Sequence, residues 1–235
     1  MAGYTFGAAG AFTSALAGGS MSPAMPSFSA GDLLLLHTGV NSISLGTPTV
    51  TGWTKLTTNS TAPCDALYGR IAVGGDTSPS VQWDASHQAY SRIFSFSGDV
   101  YTDLATIVTL ASERATNTTG KIAVASTAAP TPSNCLVIRA GHCIKTATNN
   151  GSTFGDWLTD SGIYTKIGAT QLVQSGTAVA AAAWYANQTS PASTSSDNAA
   201  LTNTDSSGNS QGFTVFLQPL VLNPARTRSL LGVGV

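Results

Sequence analysis

Short runs of β-branched and aromatic residues recur along this chain, and clusters of turn-forming residues separate them. Hardly a stretch keeps the 3.6-residue period of a helix. Turn clusters such as Gly74-Gly75-Asp76 and Asn149-Asn150-Gly151 provide the positive-φ positions and side-chain hydrogen bonds that tight turns require. The pattern predicts an all-β protein. The predicted strands are Asp32–Thr38, Ala66–Val73, Ala89–Phe96, Leu104–Leu110, Lys121–Ser126, Cys135–Lys145, Gly162–Ile167, Thr177–Tyr185 and Gly212–Gln218.

Two of these strands indicate which faces are buried. The run Leu33-Leu34-Leu35-Leu36 is apolar on both faces, which is typical of a central strand with a layer packed on each side. In the strand after Ala89, Tyr90, Phe94 and Phe96 share one face, whereas the other face is mostly small and polar. We therefore expect a single β-sandwich with the leucine run in its middle.

The two halves of the chain resemble each other faintly. Each opens with an apolar strand and later has an aromatic strand, a Thr-Ser-Pro turn and a closing strand. The matching turns are Thr77-Ser78-Pro79 and Thr189-Ser190-Pro191. Two interpretations stay open: pseudo-duplicated sheets within one sandwich, or chance similarity in a sequence rich in Ser and Thr.

Two terminal segments lie outside the strand pattern. Residues 1–30 are rich in Gly, Ala, Ser and Met, and we expect an N-terminal arm and first strand there, followed by the sandwich domain at residues 31–218. Residues 219–235 carry too much apolar surface for a free tail in water, so we expect a C-terminal arm that lies on its own domain or on a neighbouring subunit. The arm residues expected to contact a partner are Leu220, Leu222, Arg226, Arg228, Leu230, Leu231 and Val233.

Charged residues make up only 9% of the 235 residues, against roughly a quarter in an average globular domain. A free monomer stays soluble by presenting mixed charges to water, so this composition predicts a subunit of an assembly. With a net charge of −1 there is no basic stripe for direct binding of nucleic acid. The longest apolar stretch, Thr177–Ala186, is too short to cross a bilayer, and we expect no membrane partner. The first residues lack the features of a secretory signal, so we expect the chain to fold where it is made.

Candidate catalytic carboxylates are few. Glu113 is the only glutamate and lies next to Arg114, which is more typical of a turn-stabilising pair than of a general acid. Asp156 and Asp160 flank Trp157, where neighbouring Ser and Thr favour a hydrogen-bonded turn over a cation site or an acid–base pair. We therefore expect a protein that is not an enzyme.

Histidines and cysteines also give no convincing metal site. His142 and Cys143 are neighbours on a predicted strand and point to opposite faces, so they cannot easily bind one ion. Cys135 and Cys143 share a face but stand about 26 Å apart along a continuous strand. We expect free, buried thiols and no metal or other cofactor.

Several short motifs resemble a β-sandwich module of virion proteins of tailed bacteriophages. They are the runs Phe28-Ser29-Ala30-Gly31-Asp32-Leu33-Leu34-Leu35, Thr51-Gly52-Trp53-Thr54-Lys55-Leu56, Leu67-Tyr68-Gly69-Arg70-Ile71-Ala72, Tyr90-Ser91-Arg92-Ile93-Phe94-Ser95-Phe96-Ser97-Gly98 and Phe213-Thr214-Val215-Phe216-Leu217-Gln218-Pro219. The resemblance covers roughly residues 26–219. It implies a non-enzymatic subunit of a capsid surface or a tail, commonly oligomeric.

We therefore expect a sandwich of jelly-roll type that serves as a structural subunit of a phage particle, assembled in the cytoplasm of the bacterial host. The leading role is a capsid decoration or cement protein that stabilises contacts between coat subunits. Its expected partners are further copies of itself, with a trimer as a candidate, and phage coat or tail proteins. The alternative is a tail fibre or tail-tip module that binds a host receptor or glycan, with Trp157 and Trp184 as candidate contact residues. A carbohydrate-active enzyme is a third interpretation.

Overall fold

The structure is a computed structural model that confirms the prediction of an all-β sandwich. Strands joined by turns and loops make up most of the part of the chain that it describes. It describes residues 4–15, 20–40, 48–59, 64–83, 88–98, 104, 108–115, 121–124, 133–145, 154–158, 160–168, 171–173, 178–190, 192–194, 197–201 and 210–219.

Residues 4–98 form the first half of the molecule. Its strands are β1 (Thr5–Ala9), β2 (Thr13–Ala15), β3 (Ser20–Met21), β4 (Leu33–Val40), β5 (Thr54–Asn59), β6 (Cys64–Ile71), β7 (Val81–Gln82) and β8 (Ala89–Ser97). A large antiparallel sheet has the order β1-β8-β4-β6-β5, with β2 also paired to β8. The short strands β3 and β7 form a separate pair.

Residues 108–217 form the second half. Its strands are β9 (Val108–Ala115), β10 (Lys121–Val124), β11 (Cys135–Lys145), β12 (Phe154–Trp157), β13 (Thr165–Lys166), β14 (Gln171–Val173), β15 (Ala178–Gln188), β16 (Asp197–Leu201) and β17 (Ser210–Leu217). The large antiparallel sheet here has the order β9-β17-β11-β15-β13, with β14 also paired to β15. A smaller sheet has the order β10-β16-β12.

The two halves share one topology. Five strands form the main path of each large sheet. If they are numbered by their order along the chain, they lie side by side in the order first, fifth, second, fourth, third. Each half also has a smaller sheet. In it an early strand, β3 or β10, pairs with the strand just before the last strand of that half, β7 or β16. The two Thr-Ser-Pro segments also lie at matching places, between β6 and β7 and between β15 and β16. This agreement favours pseudo-duplication over chance similarity.

The two large sheets pack face to face. On one side of the interface Phe6 of β1 stacks on Tyr185 of β15, with ring centroids 4.9 Å apart. On the other side β5 contacts β9. β1 of the first half therefore lies near β15 of the second, and β9 of the second half lies near β5 of the first.

Among the described residues the sheets form four layers, and the three largest apolar cores lie between them. The central core lies between the large sheets and includes Leu35, Phe94, Ile138 and Phe213. An outer core in the first half lies between its large sheet and the pair β3–β7. The corresponding core in the second half lies beneath the sheet β10-β16-β12. Both faces of each large sheet are therefore covered.

Layering explains the leucine run. Leu33 and Leu35 enter the central core, whereas Leu34 and Leu36 enter the outer core of the first half. The prediction of a central strand packed on both sides is confirmed. Ser91 and Ser95, on the face described above as small and polar, are buried as well, because the outer layer covers them.

A pair of glycines lets the outer layer of the second half approach its large sheet closely. Gly141 of β11 pairs with Gly212 of β17. A Cβ atom at Gly141 would stand 2.2 Å from the carbonyl oxygen of Gln211, and one at Gly212 would stand 2.2 Å from that of Ala123 in β10. The strand β11 nevertheless continues unbroken through Gly141.

The terminal segments have different outcomes. Residues 5–9, 13–15 and 20–21 form β1, β2 and β3, so much of the segment 1–30 is built into the sheets of the first half. The C-terminal arm lies outside the described residues from Leu220 onward. The jelly-roll type stays a prediction.

Candidate functional site

A cluster of four polar side chains lies in the central core, between the two large sheets. His37 comes from β4, Asp65 from β6, Tyr90 from β8 and His142 from β11. We call these four residues the polar cluster. Each points into the interface because it shares a strand face with apolar residues of the central core, which alternate with outward-facing residues.

The side-chain atoms of the polar cluster converge. Nε2 of His37 lies 2.9 and 3.0 Å from the two carboxylate oxygens of Asp65, and 2.7 Å from the hydroxyl of Tyr90. Nδ1 of His142 lies 3.1 Å from the same hydroxyl and 3.3 Å from Oδ2 of Asp65. The cluster therefore joins three strands of the first half to the central strand of the second.

Water has almost no access to these groups. His37, Asp65, Tyr90 and His142 are 2%, 3%, 1% and 0% exposed. Burial by itself raises the pKa of Asp65, but the attraction of His37 and hydrogen bonds from His142 and His37 outweigh burial and hold that pKa below its ordinary value. Burial and the nearby Asp65 charge raise the pKa of Tyr90 well above its ordinary value. A carboxylate and a neutral phenol are thus the forms expected at neutral pH.

Aromatic rings and a glycine shape the surroundings of the cluster. Phe213 meets the ring of His37 edge-on at 4.8 Å, and Phe12 stacks on Tyr90 at 5.7 Å. A Cβ atom at Gly39 would lie 2.8 Å from the Tyr90 hydroxyl and 2.9 Å from Cε1 of His142. Glycine at this position therefore leaves the room that the cluster occupies.

Three members of the cluster are ordinary metal ligands. One ligand atom from each of His37, Asp65 and His142 can be chosen so that all lie within 4.8 Å of one another. Two imidazoles and a carboxylate form a donor set that Zn²⁺ and other first-row divalent cations accept. The phenol oxygen of Tyr90 is a fourth donor atom at the same place.

A second buried polar group lies on the other face of β11. The guanidinium of Arg139, which is 0% exposed, lies 2.8 Å from Asp160 and 3.4 Å from Asp197. Its Cζ atom stands 4.4 Å over the ring of Tyr164. These contacts tie the loop before β13 and the strand β16 to the sheet, which is a structural role.

A polar pocket of about 280 Å³ opens where β1 begins and β15 ends. Amide side chains of Asn134, Asn187 and Gln188 line it, together with Thr5 and Thr189. Asn134 adopts the left-handed conformation, with φ of 60°. Amides and hydroxyls of this kind form hydrogen bonds with polar ligands.

The residues predicted from sequence to contact partners lie elsewhere or outside the description. Leu220, Leu222, Arg226, Arg228, Leu230, Leu231 and Val233 lie outside the described residues. Trp157 ends β12, and its backbone pairs with Ala199. Trp184 is 1% exposed and packs against Phe154 in the outer core, so its ring is not presented to a surface ligand.

Sequence reasoning did not identify the polar cluster. It placed His142 and Cys143 on opposite faces, and the structure agrees: His142 enters the central core and Cys143 the outer core. Cys135 and Cys143 are buried thiols that form no disulfide, as predicted. The partners of His142 are far away in sequence, however. The alternation of residues along β4 shows that His37 shares a face with Leu33 and Leu35, but not which residues it meets.

No protein-family model matches the chain, and no curated protein or solved structure shows significant similarity to it. Among the described residues, no helix is long and apolar enough to cross a membrane.

Proposed function

We propose that this chain is a non-enzymatic structural subunit of a phage particle, and that it serves as a capsid decoration or cement protein. One observation carries the proposal: a chain with few charged residues uses most of those that are described to hold its own fold together. A chain with 9% charged residues has little charge to distribute over its surface, and burial against other subunits stabilises such a surface.

The described arginines illustrate this internal use of charge. Arg70 pairs with Asp76 and also donates a hydrogen bond to the carbonyl of Gly52. Arg92 donates hydrogen bonds to two backbone carbonyls, those of Gly10 and Ile167. These contacts join a strand to a loop or one half to the other.

Acidic residues and a lysine follow the same pattern. Asp32 accepts a hydrogen bond from the backbone N–H of Ser29, and Asp156 accepts one from that of Gly162. Lys166 donates to the carbonyl of Phe154. These side chains hold turns and a strand in place.

The strand pairing also supports the jelly-roll type for each half. A jelly roll folds a long antiparallel ribbon so that its first strand meets its last and its second meets the one before the last. In the first half β1 pairs with β8 and β3 with β7. In the second half β9 pairs with β17 and β10 with β16. This pairing supports a jelly roll in each half, with the two packed through their large sheets.

In this function the sandwich covers contacts between coat subunits, and the C-terminal arm clamps a neighbour. Leu230, Leu231 and Val233 supply an apolar anchor, while Arg226 and Arg228 bind carboxylates or carbonyls. An interface of this kind that buries on the order of 2,000 Å² or more would fall in the class of permanent complexes.

The test is incorporation into particles. Particles assembled without this chain are mixed with the full chain or with a variant that ends at Pro219, and bound protein is measured after sedimentation and located by cryo-electron microscopy. We expect the full chain to bind the shell and the shortened chain to fold but not to bind. Absence of the full chain from the particle would refute the proposal, and equal binding of both would refute the role of the arm.

The polar pocket favours one alternative, a tail module that binds a host receptor or glycan. Its amide side chains suit the hydroxyl groups of a sugar. A glycan array with the full chain tests this alternative, with Asn187→Ala as the pocket variant and Thr77→Ala, in an exposed turn, as the control. Binding that only the pocket variant loses would favour the tail module over the decoration protein.

A further inference from the structure

We propose that the polar cluster is a zinc site that joins the two halves of the molecule. Its ligands are Nε2 of His37, a carboxylate oxygen of Asp65, Nδ1 of His142 and the phenol oxygen of Tyr90. This site is independent of the proposed place in a phage particle, because it lies inside a single chain.

The spacing of the ligand atoms supports a tetrahedral metal site. In a tetrahedral zinc site with metal–ligand bonds of about 2.0–2.1 Å, neighbouring ligand atoms stand about 3.3 Å apart. Four of the six distances between ligand atoms run from 2.7 Å, between Tyr90 and His37, to 3.3 Å, between His142 and Asp65, and the ligand atoms of His37, Asp65 and His142 all lie within 4.8 Å of one another. A rearrangement that brings neighbouring ligand atoms to about 3.3 Å would place all four around one ion.

The number of hydrogens that Nε2 of His37 can carry also favours a metal. Nε2 of His37 lies within 3.0 Å of three oxygen atoms, namely both carboxylate oxygens of Asp65 and the hydroxyl of Tyr90. A ring nitrogen carries at most one hydrogen. That single N–H cannot form well-aligned hydrogen bonds to the carboxylate and to the hydroxyl at the same time. A divalent cation at the centre attracts the nitrogen and the oxygens at the same time.

Compensation of the buried Asp65 charge also favours a metal. Asp65 is a buried carboxylate, and an ion pair or a metal is the usual compensation for a buried charge. Zinc brings two positive charges, and Asp65 supplies one negative charge. Tyr90 supplies the second as a phenolate when the metal displaces its proton to solvent on binding, so that the centre becomes neutral. Its two histidines bind as neutral imidazoles.

The choice of zinc follows from the donors and their number. Two nitrogens and two oxygens in an enclosed site suit a four-coordinate ion that needs no fixed water. Magnesium and calcium prefer six or more oxygen ligands, which the described surroundings do not offer. A cavity of about 10 Å³ beside His37 and Tyr90 is large enough for about one water molecule.

The site would act as a staple. Three ligands come from the first half and one from the central strand of the second, so the metal would link strands that pair in different sheets. Because the site is buried, we expect zinc to enter during folding and to leave only on unfolding.

The test uses the full chain, unfolded in denaturant and refolded with one equivalent of zinc or with a chelator. After removal of unbound metal, we expect about one zinc ion per chain and a higher melting temperature for the zinc-refolded protein. Refolding with cobalt in place of zinc should give the visible absorption of a tetrahedral ion without a sulfur charge-transfer band. Wild-type protein that folds in the presence of zinc but retains none would overturn the proposal.

Variants assign the ligands. His142→Ala should lower the retained zinc at least about tenfold, whereas Cys143→Ala, one residue along on the opposite face, should retain it. Tyr90→Phe keeps the ring and removes only the oxygen, and should alter the cobalt spectrum. If His142→Ala does not fold, the Tyr90→Phe spectrum decides: an unchanged spectrum would refute this ligand set. Loss of zinc only in Cys143→Ala would place the metal on the thiol instead.

Discussion

Replacing Leu35 by alanine tests whether the central core holds the two halves together. Leu35 is 1% exposed and lies between the large sheets, where it shares the central core with residues of β11, β15 and β17. Leucine-to-alanine changes at buried sites cost about 3–4 kcal/mol, because transfer free energy is lost and a cavity remains. For a chain of this length, this loss lowers the melting temperature by about 10 °C.

The matched control is the same substitution at Leu158, which is 73% exposed. It removes the same atoms without leaving a cavity, and we expect a change within about 0.5 kcal/mol. Both variants are measured by urea unfolding, with circular dichroism and tryptophan fluorescence as separate probes. If the two substitutions cost the same, Leu35 does not lie in a packed core.

Hydrogen exchange measured by mass spectrometry then asks whether the halves respond together. Leu35 belongs to β4 in the first half, and the neighbouring sheet contributes β11. If the central core makes one cooperative unit, Leu35→Ala should reduce the protection of the slowest amides in β4 and β11 by the same free energy. A loss confined to β4 would show that the halves open independently and would refute the reasoning.

Three further predictions concern single sites. Gly141→Ala should prevent stable folding, because its Cβ would meet the backbone of β17, whereas Gly74→Ala, with open space around it, should leave the melting temperature unchanged. Thr38→Val should cost about 1–3 kcal/mol in urea unfolding, because Thr38 accepts the indole N–H of Trp83 and would leave that buried donor unpaired. Burial raises the pKa of Tyr68 and of Tyr164 to about 12 from 10.0. Their neutral forms therefore contribute stability in full below pH 10, and that stability is lost as the pH rises towards about 12. Ultraviolet absorbance of tyrosinate, followed beside the urea midpoint, checks this; ionisation of every tyrosine near pH 10 would contradict it.

Strands that carry a strong local pattern could be predicted from sequence. The leucine run of β4 and the long strand β11 are apolar enough to be recognised alone, and β11 has the predicted bounds Cys135–Lys145. Short outer strands such as β3 and β7 were missed. A strand of two residues has no periodicity to read, and only its pairing partner gives it strand conformation.

The polar cluster could not be predicted, for a related reason. Asp65 and Tyr90 lie 28 and 53 residues from His37, and Asp65 lies 77 residues from His142. Which of these side chains meet depends on strand register and on how one sheet is placed over the other. Sequence alternation gives the face of a residue but not its height along the strand, so it could not bring the four together.

The matching topology of the two halves bears on how the chain meets its neighbours. Each half already covers the large inner sheet of the other, so that face is no longer available for another molecule. What remains outside are two small sheets, β3–β7 and β10-β16-β12, related in topology but different in sequence. In the proposed function, these two small sheets are the described faces left to contact neighbouring subunits.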